Sequence, residues 1–107
     1  MTTFDKREEA FEKQFVIDEE LRFKAVARRN RMLGTWAAEK LGKSGAEAQA
    51  YTRDVIAAEF DGAGDAGVIS KVMGDFSTKG VVLGEAELRT KMDEWMAQSI
   101  VQVKAGI

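Results

Sequence analysis

The sequence predicts an all-α fold, a four-helix bundle with a long, partly mobile N-terminal helix. The chain of 107 residues contains no Pro, against a usual frequency of roughly 5%. Apolar residues recur at intervals of three and four in four successive segments, which is the helical period. Short Gly-containing stretches separate the segments. A chain of this length can bury most of its apolar residues in one bundle.

The first predicted helix extends from Thr3 to Leu41, a stretch rich in good helix formers. At about 100° per residue, its large apolar side chains return to one stripe. These are Phe4, Phe11, Phe15, Val26, Leu33 and Trp36. Asp18, Arg22 and Arg29 interrupt the stripe, so we expect a hinge or frayed joint near residues 16 to 21.

The length of this helix divides the chain into two parts. At roughly 1.5 Å per residue the helix would span about 58 Å, whereas the shorter helices would reach only about 20 to 30 Å. We therefore expect residues 1–19 to form a separate N-terminal segment, helical when bound to a partner and either helical or disordered when free. Residues 20–107 would form the bundle.

Three shorter helices complete the predicted bundle. Ser44 and Glu47 have the spacing of a capping box, so the second helix should start near residue 45 and end near residue 60. Asp65 is expected to cap the third helix, and the fourth should begin near Glu85 with acidic residues in its first turn. The apolar linker Gly80–Gly84 is expected to lie across the end of the bundle.

The short connections predict an antiparallel up-and-down arrangement of the four helices. The apolar periodicity of each helix then predicts the core. Its members are Val26, Leu33, Trp36, Ala37, Tyr51, Val55, Val68, Val72, Phe76, Leu88, Met92, Trp95 and Ile100.

Composition excludes several classes of catalytic site. The chain has no Cys and no His, so it can supply no thiolate or imidazole as nucleophile, base or zinc ligand. We therefore expect neither an enzyme nor a metal site, and a hydrolase is a disfavoured alternative. No apolar run approaches the roughly 20 residues of a membrane-spanning helix, and the charged start lacks a signal peptide. These features predict a cytoplasmic protein without direct membrane contact.

A basic block and a Gly-rich turn suggest a second hypothesis, a nucleotide-binding regulatory bundle. The block consists of Arg22, Lys24, Arg28, Arg29 and Arg31. With a pI near 5.2 and no nucleic-acid motif, we expect no nucleic-acid partner. Residues 62–67 match G-x-G-x-x-G, but the match follows a helix rather than a strand. Weak ATP or ADP binding would involve Arg28, Arg29, Gly64 and Asp65.

The stripe formed by Phe4, Phe11 and Phe15 has two interpretations. It could fold back against the bundle, or it could insert as an amphipathic helix into a groove of a partner protein. Helical spacing alone does not choose between these interpretations.

Two longer motifs carry a resemblance to a known family. They read FDKREEAFE at residues 4–12 and ARRNRMLGTWAAEKLG at residues 27–42. Further matches include Tyr51, Gly64-Asp65, Lys71-Val72 and residues 87–92. Together they cover nearly the whole chain, which is similar to the zeta subunit of the alphaproteobacterial F-type ATP synthase.

The resemblance implies an inhibitor of ATP hydrolysis by the bacterial F-type ATP synthase. Its N-terminal helix would insert between the alpha, beta and gamma subunits of the catalytic head and block rotation, with the bundle acting as a stop. By this resemblance Phe4, Phe11 and Phe15 would be apolar anchors. The polar contacts around them would come from Asp5, Arg7, Glu8 and Glu12. The protein would be peripheral to the inner membrane through the ATP synthase.

Overall fold

The computed structural model describes the backbone of residues 3–61 and 63–107, and the side chains of residues 19–61 and 63–107. Helices account for most of this backbone, and no strand occurs in the described ranges. The helices are α1 (Thr3–Lys40), α2 (Gly45–Ala58), α3 (Asp65–Lys79) and α4 (Glu85–Lys104). The predicted all-α four-helix fold is confirmed.

Helix α1 is the axis of the fold. Its 38 residues form one continuous helix, and the longest dimension of the molecule is 59 Å. The backbone remains helical through residues 16 to 21, so the hinge predicted there is not a break in the helix. Helix α1 packs chiefly on α2 and α4, whereas α3 makes smaller interfaces with α2 and α4.

Contacts of α1 with α2 and α4 agree with the predicted up-and-down arrangement. Arg29 of α1 pairs with Glu59 just after α2, whereas Gly34, further along α1, approaches Thr52 inside α2. The two helices therefore run antiparallel. Helices α1 and α4 do so as well, because Arg28 bonds to Gln102 while the later Trp36 contacts the earlier Trp95.

The core agrees closely with the prediction from periodicity. Nine of the predicted core residues are buried: Leu33, Ala37, Tyr51, Val55, Val68, Val72, Phe76, Leu88 and Met92. The other four, Val26, Trp36, Trp95 and Ile100, are half-buried. The core also contains residues outside that prediction: Ala25, Ala38, Leu41, Ala58 and Ile69. Small side chains explain most of the difference, since Ala contributes little to an apolar stripe.

Gly34 sets the distance between α1 and α2. A Cβ atom built on Gly34 would lie 2.8 Å from the Cα atom of Thr52, closer than real Cβ contacts allow. The absence of a side chain at this position therefore permits the two backbones to pack closely.

The predicted N-terminal caps were confirmed only in part. Ser44 is the N-cap of α2, but its hydroxyl makes no capping hydrogen bond, so the predicted capping box does not form. Asp65 is the first helical residue of α3, and Gly64 occupies the N-cap position. The Asp65 carboxylate instead bonds to Arg29, a charged partner that the helical spacing did not reveal.

The connections also refine the predicted boundaries. Helix α2 ends at Ala58 rather than near residue 60, and the amides of Glu59 and Phe60 bond three residues back in a tightened last turn. In the linker after α3, Val81 and Leu83 pack against the core as expected. Val82 is 98% exposed, so the linker covers the bundle end only in part.

Candidate functional site

The predicted inhibitory side chains lie outside the described residues. They are Phe4, Asp5, Arg7, Glu8, Phe11, Glu12 and Phe15. The backbone at these positions belongs to α1. Their roles therefore remain predictions, and the site is built below from the part of α1 that follows them.

The point at which α1 joins the bundle is defined by burial. Among the described side chains of α1, Glu19 and Glu20 are exposed, Leu21 is half-buried and Ala25 is the first fully buried residue. From Ala25 onward, the apolar side of the helix faces α2 and α4. Among the described side chains, packing of α1 against the bundle therefore begins at Leu21 and is complete at Ala25.

A cluster of polar side chains lies one turn beyond Ala25. It consists of Arg29, Asn30, Glu59 and Asp65, here called the polar cluster. Arg29 is 4% exposed and Asn30 is fully buried. Both donate hydrogen bonds to Oε1 of Glu59, each at 3.0 Å. The two terminal nitrogens of Arg29 also donate hydrogen bonds to the Asp65 carboxylate, at 2.7 and 3.1 Å.

Every nitrogen of the Arg29 guanidinium donates within this cluster. Its Nε and one terminal nitrogen also donate to Oδ1 of Asn30, at 3.1 and 3.0 Å. A buried guanidinium is tolerated only when it is paired and hydrogen-bonded in this way. The polar cluster therefore ties α1 to the turn between α2 and α3.

The two carboxyls of the cluster respond differently to their surroundings. Burial, with the nearby Asp65 charge, raises the pKa of Glu59 despite its hydrogen bonds to Asn30 and Arg29. The hydrogen bonds from Arg29 lower the pKa of Asp65, although partial burial opposes them. Asp65 is thus the more strongly ionised partner.

The residues predicted for weak nucleotide contact do not form one group. Arg29 and Asp65 meet, and Gly64 precedes Asp65 with a positive φ of 58°. Arg28 instead faces α4, where it bonds to Gln102 at 3.2 Å and to the main-chain oxygen of Ile107 at 2.6 Å. An anion approaching Arg29 would meet two carboxylates that already occupy the guanidinium.

A second polar group lies toward the other end of α2 and α3. The Tyr51 hydroxyl donates to Asp75 at 2.8 Å, and Lys71 pairs with the same oxygen at 3.1 Å. Burial and the neighbouring Asp75 raise the pKa of Tyr51, so its phenol stays protonated. The group links α2 to α3.

Sequence reasoning missed Asn30 and Glu59 as partners of Arg29. The available signal was the interruption of the apolar stripe of α1 by Arg29. A charged residue on a buried helix face requires a partner, but helical spacing does not reveal which acid supplies it. No group of three or more potential metal ligands occurs within the described ranges. None of the helices described is both long and apolar enough to cross a membrane.

Comparisons with known proteins identify the family. The family model for the ATPase inhibitor subunit zeta matches residues 1–102. A protein whose structure was determined in solution by NMR is 45% identical in sequence, with a TM-score of 0.68. The similarity covers 81% of this chain and 99% of that chain. None of the curated proteins matches. The chain belongs to the ATPase inhibitor subunit zeta family.

Proposed function

We propose that the protein inhibits ATP hydrolysis by the bacterial F-type ATP synthase by inserting its N-terminal helix into the interface of the alpha, beta and gamma subunits. The observation that carries the proposal is the family match, which begins at residue 1 and therefore includes the whole N-terminal segment. On this account the protein is cytoplasmic and reaches the inner membrane only through the ATP synthase.

The length of α1 supports an inserting role. Helix α1 starts at Thr3, and its first fully buried described side chain is Ala25. The helix between these points measures about 33 Å at roughly 1.5 Å per residue. That length exceeds what is needed to pack against α2 and α4, and it provides several turns for contact with a partner.

The width of the bundle supports its role as a stop. The two shorter dimensions of the molecule are 27 and 23 Å, whereas a single helix with its side chains is only about 10 to 12 Å wide. A cleft that admits α1 alone would therefore exclude the bundle. The inserted helix would be held at a fixed depth, and rotation against it would be blocked.

The aromatic stripe supplies the proposed anchors. An amphipathic helix binds a groove through apolar residues at helical spacing, and buried aromatic anchors contribute most of the binding energy. Phe11 and Phe15 are one turn apart and share a face of α1. Phe4 continues that stripe toward the N-terminus.

Alanine substitutions in the stripe test this proposal. Phe11→Ala and Phe15→Ala should each weaken inhibition of ATP hydrolysis by about thirtyfold or more, which corresponds to losing an interface hot spot of about 2 kcal/mol. Lys13→Ala is the matched control, because Lys13 lies on the opposite side of the helix. All three variants should keep the wild-type melting temperature. Unchanged inhibition by both Phe variants, or a lower melting temperature in either of them, would favour the alternative interpretation, in which the aromatic stripe packs against the bundle.

Binding of ATP or ADP is the alternative proposal. It would use Gly64 and Asp65 at the start of α3 together with Arg28 and Arg29. The occupation of Arg29 by two carboxylates makes this the less favoured function. Titration with either nucleotide, followed by amide resonances of residues 63–67, decides the question. An absence of shifts would exclude a site there.

A further inference from the structure

Exposed apolar side chains gather where α1 joins the bundle. Phe23 is 59% exposed and Phe60 is 56% exposed, and their ring centroids are 5.6 Å apart. Phe60 follows α2 and Phe23 belongs to α1, so the pair bridges two elements of the fold. Ile107, which is also exposed, is brought to the same level of α1 by the bond from Arg28 to its main-chain oxygen.

Basic side chains lie beside Phe23, whereas the chain neighbours of Phe60 are the acidic Glu59 and Asp61. Phe23 lines a cavity of about 420 Å³ together with Lys24, Ala27, Arg28, Arg31, Val103 and Gly106. Lys24 makes an ion pair with Glu20, but both side chains are largely exposed and the pair spans 3.6 Å. Positive charge therefore predominates on this side of α1.

The bundle holds these groups in place. Phe60 directly follows Glu59, and Glu59 accepts hydrogen bonds from Arg29 and Asn30 in the polar cluster. The ring of Phe60 is thus presented from a turn that the largely buried Arg29–Glu59 ion pair holds beside α1. A preorganised exposed apolar surface loses little conformational entropy when a partner covers it.

We propose that Phe23, Phe60 and the basic residues Lys24, Arg28 and Arg31 form a second docking surface, the collar, which contacts the rim of the cleft that receives the N-terminal helix. This inference rests on the proposed function. The partner that binds the collar is the catalytic sector of the ATPase. The surface of that partner would carry an apolar patch with acidic residues at its edge.

Continuity of α1 selects this occupant over a second copy of the chain. The proposed inserting segment ends at residue 19, and Phe23 follows four residues later in the same helix. Four residues advance the helix by about 6 Å. A helix inserted as far as residue 19 therefore places the collar directly against the surface surrounding the cleft.

Substitutions at the collar test the inference in the full chain. The double variant Phe23→Gln/Phe60→Gln should need an approximately tenfold or higher concentration for half-maximal inhibition of ATP hydrolysis. Its melting temperature should remain unchanged, because both rings are largely exposed. Val82→Gln is the control, since Val82 is exposed near the opposite end of the packed part of α1. It should inhibit like the wild type.

The outcomes separate the collar from the proposed function. Wild-type inhibition by the double variant, with loss of inhibition in the Phe11 and Phe15 variants, overturns the collar and leaves the inserting helix standing. Failure of the wild-type protein to inhibit overturns both.

Photocrosslinking gives a second test that is independent of binding energy. The probe p-benzoylphenylalanine in place of Phe60 should crosslink to a subunit of the catalytic sector, whereas the same probe in place of Val82 should not. A crosslink from position 60 only to another copy of this chain contradicts the inference. Absence of any crosslink to the catalytic sector, with inhibition retained, contradicts it as well.

Discussion

The two ends of the packed part of α1 are held by different forces. Near its C-terminus, Trp36 contacts Phe76 and Trp95, with ring centroids 5.6 Å apart in both pairs. Near residue 29, the polar cluster joins α1 to the α2–α3 turn through ion pairs and hydrogen bonds. One end therefore relies on apolar packing and the other on directional polar contacts.

The difference assigns separate roles to the two ends. Apolar packing is nondirectional and contributes free energy of folding roughly in proportion to buried area. Hydrogen bonds and ion pairs have restricted geometry, so the polar cluster fixes how the α2–α3 turn sits beside α1. That turn lies beside Arg29, one helical turn beyond Ala25, the first fully buried residue among the described side chains of α1.

Substitution at the aromatic end should have the largest effect on folding. Trp36→Ala should lower the free energy of unfolding by about 3 to 5 kcal/mol, since it removes both aromatic contacts and leaves a cavity beside Phe76. Urea unfolding followed by circular dichroism measures the loss. A decrease below about 1 kcal/mol would show that this end is not stabilised by packing.

Removal of the Arg29 charge from the polar cluster should lower the free energy of unfolding almost as much as Trp36→Ala. Arg29→Met should reduce the free energy of unfolding by about 3 kcal/mol, because it leaves Glu59 and Asn30 without their buried partner. Arg31→Met provides the control at an exposed position and should change stability by less than about 0.5 kcal/mol. Equal urea midpoints for the two variants would refute the importance of the polar cluster.

Substitution of Gly34 tests the close approach of α1 and α2 between these ends, and Gly74 provides a control glycine. Gly34→Ala should destabilise the protein by about 1 to 3 kcal/mol, since the new Cβ would overlap Thr52. Gly74→Ala, within α3, meets no atom within 4 Å. It should stabilise the protein by about 0.5 to 1 kcal/mol through helix propensity. Thermal unfolding measures both variants. Melting temperatures that shift in the same direction would contradict the predicted opposite effects.

The pH dependence should separate the two acids of the polar cluster. Burial raises the pKa of Glu59, so its stabilising contribution is complete below its unfolded pKa of about 4.3 and declines as pH rises through the folded pKa. Arg29 lowers the pKa of Asp65. The stabilising contribution of Asp65 is therefore present above its unfolded pKa of about 3.9 and is lost as pH falls through its folded pKa.

Conservative amide variants measure these opposite trends. The melting temperature of Glu59→Gln, relative to the wild type, should rise as pH increases from about 4 to 7, whereas that of Asp65→Asn should fall between about pH 2 and 5. These are expected to be the smallest effects. Parallel trends in the two variants would disagree with the assigned pKa directions.

The aromatic end could be predicted from the sequence because helical periodicity identifies buried apolar residues directly. Trp36, Phe76 and Trp95 all fall on predicted core faces, and the structure brings them together. The starts of α3 and α4 were also predictable to within about one residue, since Asp65 and Glu85 each directly follow a glycine. These features depend on local sequence, which a single chain displays.

The polar end could not be predicted to the same depth. Its key contact joins Arg29 to Asp65, which are far apart in the sequence, and helical spacing carries no information about such pairs. Asp65 consequently looked like a local helix cap. The Phe23–Phe60 pair escaped prediction for the same reason, because the two residues are also far apart in the sequence. The roles of the inhibitory residues, from Phe4 to Phe15, remain predictions.

The most direct test of the central claim is ATP hydrolysis by a purified bacterial F-type ATPase with the full chain and with a variant lacking residues 2–19. Circular dichroism of the variant serves as the control that its bundle is folded. The account predicts inhibition by the full chain and none by the folded variant. Equal inhibition by both proteins would contradict the claim, because the bundle alone would then block the enzyme.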